Sequence, residues 1–397
     1  MERLTQPLHG PVRHLYVHIP YCHKICPYCS FYKHLPNEGT LATFADALLA
    51  EARLLRASPV PLALETIYFG GGTPTLLSTP TLQNVLPALA EILDLSALTE
   101  WTLEVNPATI TPEKAAVLRA AGVTRVSLGV QAWDQPTLTT LGRDHTPAAA
   151  EKAYHILRAA GLPIVNIDLM FSVPGQSHQA WAETLEKTLA LHPDHISAYN
   201  LTYEEDTAFF EKCQTGQFAI DEDQDQNCFA TAIDRLTSAG YLHYEISNYA
   251  RPGSASLHNQ AYWAGADYAA LGPGAVSTIH QHRTKNIENT TLWASSVLAG
   301  TPLRIDPETI TPSKWLCERL ALSLRTTTGL PLTLLPPTTQ PAIQRLLTEH
   351  LIQLTPTHLQ LTHKGKFLAD PIAAHLWEAV EDPPPTSSQG VDEAPAE

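Results

Sequence analysis

The chain has 397 residues, 44% of them hydrophobic, and a formal net charge of −15 at pH 7. This length is enough for one large domain and a smaller one. The acidic balance gives no sign of a nucleic-acid-binding surface. No apolar run reaches the roughly 20 residues of a membrane-spanning helix, and the first residues lack the apolar segment of an export signal. Six cysteines without a paired framework predict a cytoplasmic protein.

The first two-thirds of the chain alternate between strand-like and helix-like segments. Most of the strand candidates are apolar on both faces and end in Gly, Pro or a polar residue, as buried parallel strands do. The predicted strands lie at 15–20, 66–71, 101–106, 125–130, 165–171 and 195–201. The helical patterns between them lie at 43–57, 82–93, 112–122, 147–161 and 179–192. Strict alternation predicts a parallel sheet with right-handed crossovers.

We therefore expect an α/β fold, a partial (β/α)6 barrel, with a doubly wound sheet as the alternative. Pro112 follows Thr111 at the first position of its predicted helix, and Gly122 and Gly161 close the predicted helices before them. In both architectures the functional groups lie at the carboxyl ends of the strands and in the loops that follow.

The alternation stops after about residue 285, which predicts three parts. Residues 1–285 form the barrel, 286–380 a small C-terminal α+β domain, and 381–397 an acidic, proline-rich tail that we expect to be disordered. The segment LIQLTPTHLQLTHKGKFL resembles the wing of a winged-helix module. Because it carries no basic patch, we do not expect it to bind DNA.

Three cysteines, Cys22, Cys26 and Cys29, follow the first predicted strand in a CxxxCxxC pattern, with no fourth cysteine nearby. Three thiolates on one loop favour a cubane iron–sulfur cluster with one iron left open. A disulfide fails because it leaves an odd thiol. A structural zinc site is the alternative, with a neighbouring histidine as the fourth ligand. The candidate histidines are His18, His23 and His34.

Polar groups also stand at the ends of later strands. The second strand runs into GGGTP at 70–74, where glycines permit either a tight turn or close approach of a ligand to the backbone. Glu104, Gln131 and Asp168 lie in or close the next three strands. A buried carboxylate is costly unless it is paired or serves a ligand, so each is a satisfied core group or a site group. Arg143, just beyond the fourth strand, could pair with a ligand carboxylate or with a neighbouring acid.

Together these motifs resemble the radical S-adenosylmethionine (SAM) superfamily. CxxxCxxC follows the first strand, GGGTP the second and ExNP the third, and YVHIPYC, SLGVQAWD, LGRDHT and NIDLMFSVPGQ resemble the oxygen-independent coproporphyrinogen oxidase-like group. The resemblance implies a 4Fe–4S cluster on Cys22, Cys26 and Cys29, with SAM on the open iron. The residues implied to surround SAM are Tyr16, Tyr28, Gly71, Gly72, Thr73, Glu104, Gln131, Arg143 and Asp168.

Two departures indicate the branch within this group. The resemblance implies that decarboxylating oxidases carry an additional cysteine where this chain has Phe31, and a long extension where this chain has a short segment before Cys22. Both features resemble the haem chaperone branch, HemW. The HNxxYW signature of that branch, linked in the family to haem handling, is present here. Its residues, which we expect to bind haem, are His258, Asn259, Tyr262 and Trp263. The alternative for this motif is a packed loop with a hydrogen-bonded histidine.

The resemblance implies a cytoplasmic haem chaperone that passes haem to an unidentified acceptor, with a respiratory haem protein as one candidate and a homodimer as one candidate assembly. A second hypothesis is an oxygen-independent coproporphyrinogen III oxidase, which would share every cofactor residue. A third is a radical enzyme acting on another tetrapyrrole. Phe31 disfavours the second hypothesis.

Overall fold

The structure, a computed structural model, describes residues 10–381. The tail expected at 381–397 lies outside the described residues except for its first residue. The described chain divides into two compact units. The larger unit comprises 10–262 and 266–311, and the smaller comprises 263–265 and 312–381.

Six parallel strands form the centre of the larger unit, and each lies where the sequence predicts it. They pair with one another in chain order. The strands are β1 (Val12–Ile19), β2 (Leu62–Gly71), β3 (Glu100–Val105), β4 (Arg125–Gln131), β5 (Ile164–Phe171) and β6 (His195–Asn200). The order confirms the prediction of a parallel α/β sheet.

Helices connect these strands, and their starts carry the side-chain caps that the backbone N–H groups need. The helices are α1 (Glu38–Ala57), α2 (Thr79–Leu93), α3 (Pro112–Ala120), α4 (Gln135–Thr140), α5 (Pro147–Ala159) and α6 (His178–Ala190). The capping residues are Asn37, Ser78, Thr111, Asp134, Thr146 and Ser177. Gly122 and Gly161 follow α3 and α5 with φ of 93° and 74°, the left-handed conformation expected after a helix end.

Beyond β6 the larger unit departs from strict alternation. Its remaining elements are α7 (Ala208–Gln214), α8 (Glu222–Ser238), β7 (Leu242–His243), β8 (Asn248–Ala250), α9 (Leu257–Trp263), β9 (Tyr268–Leu271), β10 (Val276–Ile279), β11 (His282–Asn286), α10 (Thr290–Leu298) and β12 (Arg304–Thr309). The sheet extends to twelve strands in the order β12-β11-β10-β9-β1-β2-β3-β4-β5-β6-β8-β7. Because β11 and β12 continue this sheet, the two units divide after 311 rather than at the expected 285.

The two faces of the parallel sheet differ. One face carries fully buried apolar residues such as Val17, Leu103 and Ile167. The other face is polar, contrary to our expectation of strands that are apolar on both faces. Its side chains bond across neighbouring strands, for example Tyr68 to Glu104 at 2.8 Å.

The charged neighbours of Tyr68 indicate that the sheet is curved. Burial and the negative charge of Glu104 raise the pKa of Tyr68, and Tyr199 and Asp168 act in the same direction. These last two residues lie on β6 and β5. Side chains of β2 therefore lie near those of β5 and β6 across a polar interior, as in the partial barrel that we expected.

The smaller unit contains helices and a three-stranded antiparallel sheet in the order β13-β15-β14. Its elements are α11 (Pro312–Leu324), β13 (Leu330–Pro331), α12 (Gln340–Thr348), β14 (Ile352–Leu354), β15 (His358–Leu361), α13 (His363–Lys366) and α14 (Ala369–Glu381). The β14–β15 hairpin falls in the segment that resembles a wing. Within the described chain, no helix combines the length and the apolar character needed to cross a membrane.

Glu51 of α1 joins three elements of the larger unit through its buried carboxylate. It accepts hydrogen bonds from the Gly272 N–H at 2.8 Å, Asn286 Nδ2 at 2.8 Å and Trp293 Nε1 at 3.1 Å. These donors lie after β9, at the end of β11 and in α10. Burial raises the pKa of Glu51 to about 7, and the three hydrogen bonds act against this rise. The donors therefore offset part of the cost of burying an acid.

We predict that Glu51→Ala lowers the free energy of unfolding by about 3 kcal/mol, because it leaves three buried donors without an acceptor. Urea denaturation measures the change. The matched control is Glu186→Ala, which removes an exposed ion pair with Arg235 and should change stability by less than about 1 kcal/mol. Equal effects of the two substitutions would contradict this account of Glu51.

Candidate functional site

The three cysteines of the CxxxCxxC motif lie on one loop between β1 and α1. Backbone bonds close this loop: the Cys22 N–H donates to the His34 carbonyl at 3.1 Å, and the His34 N–H donates to the Pro20 carbonyl at 2.8 Å. Within it, the Cys29 N–H donates to the Cys26 carbonyl at 3.2 Å. All three thiols are free and partly buried. The loop therefore presents three unpaired sulfurs from a closed backbone frame.

Hydrogen-bond donors surround these sulfurs. Burial raises the pKa of Cys22 to about 11, and the Thr73 side chain, bonded to this thiol, opposes that rise. Burial also raises the pKa of Cys29, opposed by a bond from the Phe31 backbone. Arg143 Nη1 donates to Cys26 Sγ at 3.5 Å. Because thiols bind metal as thiolates, donors on each sulfur favour the ligating form.

The single-ion alternative fits this geometry poorly. Across residues 10–381, no three His, Cys, Asp or Glu side chains converge closely enough to hold one metal ion. His18 uses both ring nitrogens elsewhere, on Tyr16 Oη at 2.9 Å and the Tyr32 carbonyl at 2.8 Å. His34 does the same, on Thr290 Oγ1 and a backbone carbonyl. In a four-iron cluster each thiolate binds a different iron, which suits more widely spaced sulfurs.

The glycines after β2 allow the cysteine loop to pack closely against this strand. Gly71 has φ of 103°, and a Cβ there would lie 2.3 Å from the His18 ring. A Cβ on Gly72 would lie 2.5 Å from the Tyr21 carbonyl oxygen. The N–H groups of Gly72 and Thr73 donate to the backbone of the β1 end and the loop, both at 2.7 Å. The close approach is therefore to the protein's own loop.

Two of the predicted carboxylates face each other in the polar interior. Burial raises the pKa of Glu104 to about 7, and the charge of Asp168 adds to this rise. Asp168 accepts from Ser127 Oγ at 2.9 Å and from Asn166 Nδ2 at 2.7 Å. In the described part of the chain no cationic side chain forms an ion pair with either acid. The interior therefore carries anionic groups that a cationic ligand would stabilise.

Arg143 and Gln131 lie at the end of β4. Gln131 has φ of 70° and follows a break in the β4–β5 register after Gly129. Arg143 Nη2 donates to the Gly129 carbonyl at 2.9 Å, and its Nε is buried without a partner. Although burial alone would lower the pKa of Arg143, its interactions with Tyr28 and Cys26 raise that pKa. The guanidinium thus stays charged beside the cysteine loop.

The two predicted tyrosines lie in different surroundings. Tyr16 stacks on Tyr68 with ring centroids 6.3 Å apart, and burial together with Glu104 raises its pKa. Tyr28 packs on an apolar cluster that includes Met170 and Phe209, and burial raises its pKa. Tyr16 therefore belongs with the interior carboxylates, and Tyr28 with the cysteine loop.

The four residues of the HNxxYW motif all lie on α9, but they have different surroundings. His258 is 2% exposed, and its Nδ1 bonds to Thr66 Oγ1 at 2.8 Å. The Tyr262 ring lies 5.2 Å from the His258 ring, measured between centroids, and the Asn259 N–H donates to Ser256 Oγ, just before α9, at 3.3 Å. Trp263 belongs to the smaller unit, where its carbonyl accepts from Arg319 at 2.9 Å. In this structure the imidazole of His258 is enclosed within the larger unit.

Several interior residues were not anticipated from the sequence. They contribute polar groups to the same face as the predicted carboxylates: His14, Thr66, Tyr68, Ser127, Asn166, His195, Ser197 and Tyr199. The available signal was the two-residue spacing of His14, Tyr16 and His18 in β1 and of Thr66 and Tyr68 in β2. Such alternation predicts one polar face.

The fold and the site define a class of protein. The family model described as the radical SAM superfamily matches residues 16–188. In the structural comparison, the chain resembles the coproporphyrinogen III oxidase HemN of Escherichia coli, a radical SAM enzyme, with a TM-score of 0.78 over 93% of this chain and 90% of that one. At 22% identity this likeness shows a shared fold. The protein is a radical SAM protein.

Sequence comparison identifies the branch. The heme chaperone HemW of Lactococcus lactis is 35% identical over 79% of this chain and 82% of its own length. The HemW of Mycobacterium tuberculosis is 33% identical over 93% of this chain and 96% of its own. The chain belongs to the HemW family.

We predict that Gly71→Ala lowers stability by more than about 1 kcal/mol, because it combines an unfavourable positive φ with a clash against His18. The matched control is Gly175→Ala, where φ is 82° and nothing lies within 4 Å. The loss of stability in Gly175→Ala therefore measures backbone strain alone. Urea denaturation of both variants measures the difference, and equal losses would contradict the close contact between β2 and His18.

Proposed function

We propose that the protein binds haem and transfers it to an acceptor protein, while carrying a 4Fe–4S cluster on Cys22, Cys26 and Cys29 with SAM on the open iron. The observation that carries this proposal is membership of the HemW family over nearly the whole chain. The acceptor is unidentified, and a respiratory haem protein is a candidate. A homodimer is a candidate assembly.

The cysteine loop supports the cluster assignment. It offers three free thiols, each with a donor or a cation beside it, and no fourth cysteine. Three thiolates leave one iron of a cubane for another ligand. Such a cluster supplies the electron that cleaves the sulfonium of SAM when both are bound. In this chain, Arg143 would hold positive charge beside the cluster, and Phe31, which is 66% exposed, stands where an additional cysteine would be.

The polar interior supports SAM as the second ligand. SAM carries a sulfonium and an ammonium, and Glu104 and Asp168 are partly buried acids that form no ion pair among the described residues, although the charge of Arg143 lowers the pKa of Asp168. Arg143, with an unpartnered buried Nε, suits the carboxylate of the same ligand. Tyr16 would line the cofactor from β1, and Gln131 would contact it from β4. Gly71 at the end of β2, and Gly72 and Thr73 just after it, would also lie beside the cofactor. Tyr28 would lie beside it from the cysteine loop.

We predict that Cys22→Ala, Cys26→Ala or Cys29→Ala each abolishes cluster assembly, because a cubane with only two thiolate ligands is not held. Iron and sulfide analysis with absorption spectroscopy after anaerobic reconstitution measures this. Cys228→Ala, at a buried cysteine remote from the loop in sequence, is the control and should retain the full cluster. Retention of four iron atoms per chain after loss of any loop cysteine would contradict the assignment.

We predict that SAM binds about tenfold more tightly at pH 8 than at pH 6 to the cluster-loaded protein. The pKa of Glu104 is about 7, raised by burial, so its carboxylate is mostly protonated at pH 6 and ionised at pH 8. Only the ionised form attracts a cation. Calorimetric titration across this range measures the dependence. Glu104→Gln should flatten it, and an unchanged slope in that variant would show that another group titrates.

The proposal itself is tested by titrating the cluster-loaded protein with haem and then adding apomyoglobin as a generic acceptor. We expect saturable binding with a distinct Soret band, followed by movement of haem to apomyoglobin. Binding no stronger than that of an unrelated acidic protein of similar size would contradict the proposed function.

A further inference from the structure

The side chain of His258 is buried in the interior of the larger unit. It is 2% exposed, and its ring lies 5.3 Å from the Tyr68 ring and 5.2 Å from the Tyr262 ring, measured between centroids. Its Nδ1 shares Thr66 Oγ1 with His14 Nδ1, at 2.8 and 2.9 Å. The imidazole is therefore held by one hydrogen bond and by aromatic rings on two sides.

The Thr66 hydroxyl constrains both histidines. A hydroxyl has one proton to donate, so when it donates to one imidazole it must accept from the other. His14 and His258 therefore take opposite roles at Nδ1. Burial lowers the pKa of His258 to about 3, with His14 adding to the effect, so the ring is neutral. Its Nε2 is buried without a partner in the protein.

Helix α9, which carries His258, is held at its start by hydrogen bonds to Glu100. The N–H groups of Leu257 and His258 each donate to the Glu100 carboxylate at 2.9 Å. Ser256 Oγ donates to the same carboxylate at 3.2 Å, and so does Arg125 Nε, also at 3.2 Å. Glu100 and Arg125 are both buried. Exposing His258 would break this network of buried charge-assisted hydrogen bonds, which are stronger than neutral ones.

From His258 the contacts lead toward the proposed cofactor groups. Tyr68, against which its ring packs, donates from Oη to Glu104 Oε1 at 2.8 Å. Tyr68 also stacks on Tyr16. The register of β1 and β2 pairs Tyr16 with Tyr68 and His14 with Thr66, so these four side chains occupy two adjacent rows. The HNxxYW helix thus packs against Tyr68, the residue that donates to Glu104.

We propose that His258 is a positioning residue for the SAM site, holding Tyr68 so that its hydroxyl donates to Glu104, and that His258 is not an axial ligand of haem. This inference rests on the proposed function, since it takes Glu104 as a SAM-binding group. The groups that face Glu104 are Tyr68 on β2, Tyr16 on β1, Asp168 on β5 and Tyr199 on β6, with the N–H of Gly71.

The test compares His258→Ala with His155→Ala, a substitution at an exposed histidine of α5, in cluster-loaded full-length protein. SAM and haem affinities are measured separately. We expect His258→Ala to weaken SAM binding about tenfold, the loss of roughly one charge-assisted hydrogen bond, and to leave the haem Soret band and haem affinity as in His155→Ala. Because the Tyr68 bond stabilises the Glu104 carboxylate, the pH midpoint of SAM binding should also move upward, as in Tyr68→Phe.

Thr66→Val is the second variant, since it keeps the His258 side chain and removes the hydroxyl that bonds His258 and His14. It should weaken SAM binding and leave haem binding unchanged. Unchanged SAM affinity in Thr66→Val overturns the inference, and so does a tenfold loss of haem affinity in His258→Ala with SAM binding intact. If the unsubstituted protein fails to bind haem but binds SAM, the proposed function fails while the positioning role stands. If it fails to bind SAM, both fail.

Discussion

The structure depends on two carboxylates that face each other inside a curled parallel sheet. Glu104 and Asp168 are both partly buried, the charge of Asp168 raises the cost of ionising Glu104, and neither acid forms an ion pair within residues 10–381. Neutral donors such as Tyr68 and Ser127 moderate that cost. A cationic ligand would remove it. The cost of holding these acids in the interior and the attraction of the interior for such a ligand therefore have the same physical origin.

The cysteine loop and this interior are joined through β1 and the end of β2. Glycines let the loop backbone approach β2 closely, and His18 links Tyr16 in the interior to the Tyr32 carbonyl in the loop. Arg143 connects the other side, from the Gly129 carbonyl to Cys26 Sγ. The cysteine loop and the polar interior are thus connected by hydrogen bonds on both sides.

Much of the framework could be predicted from the sequence, because apolar strands, capped helices and closing glycines are local signals. The cysteine loop and the strand-end acids were predictable for the same reason. Three features were not. The polar face was missed because Thr66 and Tyr68 are common in strands and their bonding partners lie on other strands. Strand β12 was missed because its sequence, RIDPET, is mostly polar and its side chains are largely exposed. The burial of His258 depends on Glu100 and Arg125, which are far from it in sequence.

The central claim is that this radical SAM fold serves haem transfer rather than turnover of a porphyrinogen. Its most direct test is anaerobic incubation of cluster-loaded protein with SAM, a reductant and coproporphyrinogen III, beside an authentic oxidase. Cluster content and bound SAM are verified in the same samples. The account predicts no protoporphyrinogen while the oxidase control forms it. Formation of protoporphyrinogen at a rate comparable to the control would contradict the account and make this protein an oxidase.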